Sequence, residues 1–371
     1  MYSIFYYCKK YYLPCLNSSR GFISFFDNIF AGRDRLYIIK GGPGTGKSTL
    51  MRKVADEAEK NGMDSELIFC SSDPSSLDGV IIPSLDTAIV DGTAPHLMDA
   101  SLPGTKDEIL NLGQFWNSDE LYARRDDIEL LGKRKSKAYK RVFTYLSAMG
   151  EIESDRFNII SERIDINKLC AYAQRITDSI SRSEKKHGRP DISLEINTSP
   201  EIRVTGAVSM DGYTYLPTFE RISGTQYRIT DRLGIGHMLL DEISSLLIKR
   251  GIFFIAALDA PFERKCGIMI PGADCCITLA NKISGYETVS DGGATVHSVN
   301  MNRFLYSGSV SELKSELHRI EKYKVLLNAE VSSAFESVRK NHFEIEKIYK
   351  SAMNFTGVDK ASKQIIRKIF S

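Results

Sequence analysis

The chain has 371 residues, with 49 Lys and Arg against 47 Asp and Glu and a net charge of +2. That length admits two or three domains, each with its own core, and the charge balance argues against a polyanion such as nucleic acid as partner. No apolar run is long enough to span a bilayer, and the aromatic N-terminus, Met1 to Tyr12, lacks the cleavage site of a signal peptide. The seven cysteines are odd in number and contain no C-x-x-C, so they read as reduced thiols of a cytoplasmic protein without zinc.

In chain order, Gly21 to Ile29 is predicted as a lead-in helix, and the apolar, β-prone Leu36-Tyr37-Ile38-Ile39 as a buried strand. The next stretch, Gly41-Gly42-Pro43-Gly44-Thr45-Gly46-Lys47-Ser48-Thr49, fills G-x-x-x-x-G-K-[ST]. Leu50, Met51, Val54 and Ala58 then recur at helical spacing until Asn61-Gly62. Strand, glycine-rich loop and helix in that order make a phosphate site. Glycines let successive N–H groups face an anion, and the helix adds the positive end of its dipole. Gly42, Gly44, Thr45, Gly46, Lys47, Ser48 and Thr49 are therefore the expected nucleotide contacts. Lys47 would reach the β- and γ-phosphates of ATP or GTP, and the Ser48 hydroxyl would join a Mg²⁺ shell.

Ser65 to Cys70 reads as a second strand, followed by Asp73, a candidate for orienting a substrate or water. Asp78-Gly79-Val80-Ile81-Ile82-Pro83 is a short apolar excursion. Thr87 to Thr93 reads as a third strand whose Asp91 is the expected second metal ligand; the plain alternative is a cap for the turn at Gly92. His96 reads as a structural histidine after that turn. Strands alternating with helices predict an α/β protein built on a parallel sheet.

From Ser118 to about Arg182 the chain is charged and helix-prone, with apolar stripes, and Gly150 offers a break for a helical hairpin. The basic run from Lys133 to Arg141 reads as a solvated face, and Arg124 and Arg125 as residues available as an arginine finger or to a lid. Ser181 to Pro190 is polar, ends in helix breakers and marks the domain boundary. Beyond it the chain echoes itself at an offset near 190 residues: Tyr37 to Lys40 returns as Tyr227 to Thr230, Gly44-Thr45-Gly46 as Gly234-Ile235-Gly236, and Asp78 to Pro83 as Cys266 to Pro271. Gly212 to Leu216 is the expected counterpart of the lead-in helix. The chemistry is not echoed. His237 stands for Lys47, Met238 for Ser48, Leu279 for Asp91, and Asp231-Arg232 for Gly41-Gly42. This predicts two tandem P-loop NTPase-like domains. The first, 1–190, carries the intact loop and a helical insertion at about 117–185. The second, 191–371, is degenerate and ends in a helical region from about 309.

Residues 41–51, Cys70-Ser71-Ser72-Asp73-Pro74, 78–83 and Asp91-Gly92-Thr93-Ala94-Pro95-His96, in this order and spacing, resemble an uncharacterised bacterial family of duplicated P-loop ATPases or NTPases. Members often keep a second P-loop, and this chain departs from them at 231–238. The resemblance implies ATP hydrolysis with Mg²⁺ in the first half, a non-catalytic second half, and helical regions that leave room for a protein partner. The alternative is a small-molecule or nucleotide kinase using the same loop, with the helical insertion closing as a lid.

Overall fold

The computed structural model describes residues 9–94, 97–187, 199–280 and 293–371; His96, the first eight residues and the end of the expected boundary lie outside them. The first half contains β1 (Lys9–Tyr12), β2 (Cys15–Ser18), β3 (Gly21–Ser24), α1 (Phe26–Phe30), β4 (Arg35–Lys40), α2 (Lys47–Lys60), β5 (Ser65–Phe69), β6 (Leu77–Ile82), β7 (Thr87–Asp91) and β8 (Asp107–Asn111). Six of these strands form one sheet in the order β1-β5-β6-β7-β4-β8. Three helices follow: α3 (Ser118–Ala123), α4 (Arg125–Ser161) and α5 (Ile166–His187).

The second half contains β9 (Glu201–Ser209), β10 (Gly212–Tyr215), α6 (Thr218–Ile222), β11 (Thr225–Thr230), α7 (Gly236–Lys249), β12 (Ile255–Asp259), β13 (Arg264–Ile270), β14 (Cys275–Ala280) and β15 (Thr295–Asn300). Its sheet runs β10-β9-β12-β13-β14-β11-β15, and α8 (Ser309–Ser351) and α9 (Phe355–Ile369) close the chain. The protein is α/β, and the six strands of the first sheet match β9-β12-β13-β14-β11-β15 of the second in order, where β10 is added at the edge; β2 and β3 form a separate pair.

Three expectations are corrected. The sheets are mixed rather than parallel: β6 runs antiparallel to β5 and β7, and β13 to β12 and β14. The links on either side of β6 are too short for a parallel crossover, which takes a dozen or more residues. Gly21 to Ser24 and Gly212 to Tyr215 are strands rather than lead-in helix, each the second arm of an antiparallel hairpin. Both are rich in aromatic and β-branched residues, Phe22-Ile23 and Tyr213-Thr214-Tyr215, and the helix that follows each is a single turn, α1 or α6.

The third correction concerns the helices. Gly150 does not break α4, which runs unbroken for 37 residues. A Cβ at Gly150 would lie 2.6 Å from Ser19 Cβ, so the glycine serves a close packing contact. Gly150→Ala should therefore lower stability by about 1 kcal/mol or more, although helix propensity alone favours alanine by about that amount. Chemical denaturation checks this, and a stabilised variant would mean the contact yields freely.

The helical segment serves both halves: α4 packs on β2 and β3 of its own half, whereas α5 leaves it. α5 packs on α7 of the second sheet, and α9 packs on α2 of the first. The exchange is reciprocal in its backbone bonds. The Asn117 N–H donates to Ala352 O (2.7 Å) and Asn354 to Phe115 O (2.8 Å); correspondingly, Tyr306 donates to Arg163 O (3.0 Å) and Asp165 to Phe304 O (2.7 Å).

Apolar burial follows this exchange. One core holds Leu50, Met51, Val54 and Ile89 together with Val358, Ile365 and Ile369 of α9. Another holds Ile235, Leu239 and Ile243 with Leu169, Ile176 and Ile180 of α5. A third joins the two sheets through Tyr12, Phe30, Ile38 and Val90 against Phe219, Met269 and Cys276. Val142, Leu146 and Met149 of α4 meet Val331, Phe335 and Val338 of α8 in a fourth. No described helix is long and apolar enough to cross a membrane.

Candidate functional site

β4 lies between β7 and β8, parallel to both, and delivers the glycine-rich loop to α2 at the end of the sheet where Asp91 closes β7. Gly44 and Gly46 have φ of +73° and +94°, the left-handed region where a side chain is disfavoured, and Gly46 caps α2 without any side-chain hydrogen bond. The Lys47 ammonium donates to the carbonyls of Gly41 and Gly42, both at 2.7 Å, and lies 3.4 Å from Asp91 Oδ2. Asp91 Oδ1 accepts from the Thr93 amide at 2.9 Å, so the residue faces the lysine and also caps its turn. The Ser48 hydroxyl accepts from the Leu77 amide at 3.0 Å, and the buried Thr45 hydroxyl donates to Gly42 O at 2.9 Å. Lys47 thus joins Gly41, Gly42 and Asp91, while Ser48 is tied to β6 and Gly44 faces α8; Thr49 is exposed on the first turn of α2. Among the described residues no group of three or more His, Cys, Asp or Glu could hold a metal by itself.

Asp73 sits to one side. Its Oδ1 accepts from the Ser75 amide (3.2 Å) and hydroxyl (2.6 Å), an Asx turn. Arg124 and Arg125 pair locally on α4, with Asp127 and with Asp126 and Tyr122. Lys135 leaves the solvated face, and burial lowers its pKa.

Two features of the site escaped sequence reasoning. The first is Asp78, 6% exposed at the start of β6, where burial and then the charge of Asp91 push its pKa up to about 7. The available signal was the contrast between Asp78 and Cys266 in otherwise matching segments. The second is the far end of α8, which lies over the loop: a Cβ on Gly42 would be 2.7 Å from the Tyr349 ring, and one on Gly44 2.8 Å from Glu346 Cγ and Lys350 Cγ. Tyr349 in turn meets Trp116, the only tryptophan of the chain, with ring centroids 5.9 Å apart. Gly44→Ala should therefore fail twice, through its positive φ and through the contact with α8. We expect a loss of about 2 kcal/mol and an altered Trp116 emission, read by denaturation and fluorescence.

The second loop lies in the matching position between β11 and α7, and α4 meets it at Gly234 through Arg156 and Glu153 as α8 meets the first at Gly42 and Gly44. It differs in what fills it. Asp231 is 2% exposed, and its carboxylate accepts from the amides of Leu233 (3.1 Å), Gly234 (2.9 Å) and Gly236 (2.6 Å). Burial raises the Asp231 pKa against the pull of those amides and of Arg156. Above the loop Glu153 binds Arg156 (2.6 Å), Arg264 (3.0 Å) and Lys324 (3.1 Å); burial works against its charge, but the three cations prevail and its pKa is lowered. His237 is pushed down to about 4 by burial and by Arg264, so at neutral pH it is an uncharged imidazole.

Comparison of the chain with protein-family models, curated proteins and solved structures gave no match in any of the three.

Proposed function

We propose that the chain is two tandem P-loop NTPase-like halves, of which the first binds and hydrolyses a nucleoside triphosphate and the second is non-catalytic. The observation that carries this reading is the contrast between two loops on matching frameworks. In one, a built-in carboxylate takes up the loop amides. In the other, no side chain of the described residues caps the start of α2, and Lys47 and Asp91 pair beside the loop with Ser48 on the first turn of the helix. An anion at the first loop meets N–H dipoles, a helix N-terminus and an ammonium; at the second it meets Asp231.

Magnesium suits the first site, because Ser48 and Asp91 offer hard oxygen donors and Mg²⁺ takes one or two carboxylates plus substrate phosphates rather than a full protein cage. When bound, the ion would neutralise charge on the β- and γ-phosphates. The loop amides would orient the phosphates, and Lys47, released from the carbonyls of Gly41 and Gly42, would face the transferred group. The far end of α8 lies against the half-buried loop, so Tyr349 and Glu346 would border the nucleotide's entry.

The test is nucleotide binding followed through Trp116 emission, together with phosphate release from ATP and GTP with Mg²⁺ and no acceptor. Acceptor-free release supports the hydrolase and identifies its nucleotide. Tight binding without release moves the assignment to a kinase, and no binding to either nucleotide removes the P-loop reading.

A further inference from the structure

Asp78 is the buried acid that the P-loop reading leaves unused. The β6–β7 register pairs Gly79 with Val90, so Asp78 falls opposite Asp91. On its other side β6 bulges: Ile68 pairs with Gly79 and Phe69 with Leu77, so Asp78 has no residue facing it on β5. Bulges re-aim side chains, and this one sits at the sheet end that carries the loop. Asp78 Oδ2 is buried without a hydrogen-bond partner among the described residues. The preceding residue, Leu77, holds the Ser48 hydroxyl through its amide at 3.0 Å. Asp91 and Asp73 add negative charge around Asp78, and Lys47 opposes them. The Cys70 thiol hydrogen-bonds the Asp78 carboxyl, and the oxygen left over can be neutralised by a proton or by a cation; the hard-oxygen neighbours Ser48 and Asp91 suit a cation.

The second half provides an internal comparison. Its sheet has the same bulge, with Ala257 paired to Gly267 and Leu258 to Lys265, and the residue left over there is Cys266. Where Asp231 fills the loop, the acid is absent; where the loop amides lack a side-chain cap, it is present.

We infer that Asp78 is a second carboxylate of the divalent-cation shell in the first-half site, acting with Asp91 and the Ser48 hydroxyl on the ion that accompanies the triphosphate. This rests on the nucleotide reading above. It assigns Asp78 a ligand rather than a structural role, and it explains why a carboxyl is kept in a core position that a thiol fills equally well in the other half.

The experiment is Mn²⁺ binding in the presence of ADP, read from the electron paramagnetic resonance signal of free Mn²⁺, with ADP affinity measured separately in EDTA. Asp78→Asn is nearly isosteric, and Asp78→Cys copies the residue that the matching bulge already accommodates. Both should weaken Mn²⁺ binding in the ternary complex by about tenfold or more and leave metal-free ADP affinity unchanged or tighter. Mn²⁺ affinity equal to that of the wild type in both variants would overturn the assignment while leaving the nucleotide site intact. A wild-type protein that takes up no ADP would instead remove the nucleotide reading, and this inference with it.

Discussion

Lys47→Ala should cut phosphate release by about a hundredfold or more, while His237→Ala, at the matching position of the second loop, leaves it within about twofold. The asymmetry follows from charge. The Lys47 ammonium stands at the mouth of the first loop, held by two backbone carbonyls at 2.7 Å and by Asp91 at 3.4 Å. Both carbonyls and the carboxylate are groups that solvent can serve, so the variant should fold, and its defect should lie in phosphate binding and turnover. His237, pushed down to about 4, carries no charge at neutral pH and packs beside Phe157 with ring centroids 5.5 Å apart. Removing it takes away packing rather than a phosphate ligand. Phosphate release and ADP affinity measured on both variants decide the matter, and comparable losses from the two would refute a single working site.

The loop and its flanking elements were legible because their signal is local. The spacing of glycines, Lys47 and Ser48, a β-prone run before them and a helical run after them are each readable within about a dozen residues. The matching strand order of the two sheets was foreshadowed for the same reason, since Asp78 to Pro83 and Cys266 to Pro271 keep length and apolar pattern, with a charged group exchanged at the first position. What stayed hidden depends on contacts between residues far apart in sequence. The meeting of Tyr349 with Gly42, or of Arg156 with Gly234, follows from the exchange of helices between halves, and hydrophobic periodicity does not say which sheet a helix will cover.

Gly150 was misread because a glycine needed for close approach and a glycine that ends a helix look alike in sequence. β6 was read only as an apolar excursion, so its insertion as a strand between β5 and β7 was missed. Its apolar residues fit either orientation, and the shortness of the links makes it antiparallel. Asp73 shows the limit for single side chains: an acid at the end of a strand can serve chemistry or close an Asx turn, and its bonds to Ser75 supply the second role directly.

Asp231→Ala should destabilise the protein by about 3 kcal/mol or more, among the largest single-site effects outside the apolar cores, because three amides, two of them buried, lose their acceptor together. Those amides belong to Leu233, Gly234 and Gly236, and Arg156, which packs over Gly234, loses a nearby anion as well. The same deletion should create a ligand site. With the carboxylate gone, the loop presents uncapped N–H groups beneath Arg156 and Arg264, the arrangement that inorganic phosphate occupies in working loops. Added phosphate should therefore restore part of the lost stability, rising with concentration as expected for a ligand that binds only the folded state. The comparison is made in a Lys47→Ala background, so that the first loop contributes little, and the readout is the thermal midpoint with and without phosphate at constant ionic strength. Loss of stability with no selective rescue would mean that the second loop has lost the shape of an anion cradle. Rescue in the Asp231 variant but not in its parent would mean that the second half kept the cradle and replaced its ligand with a side chain.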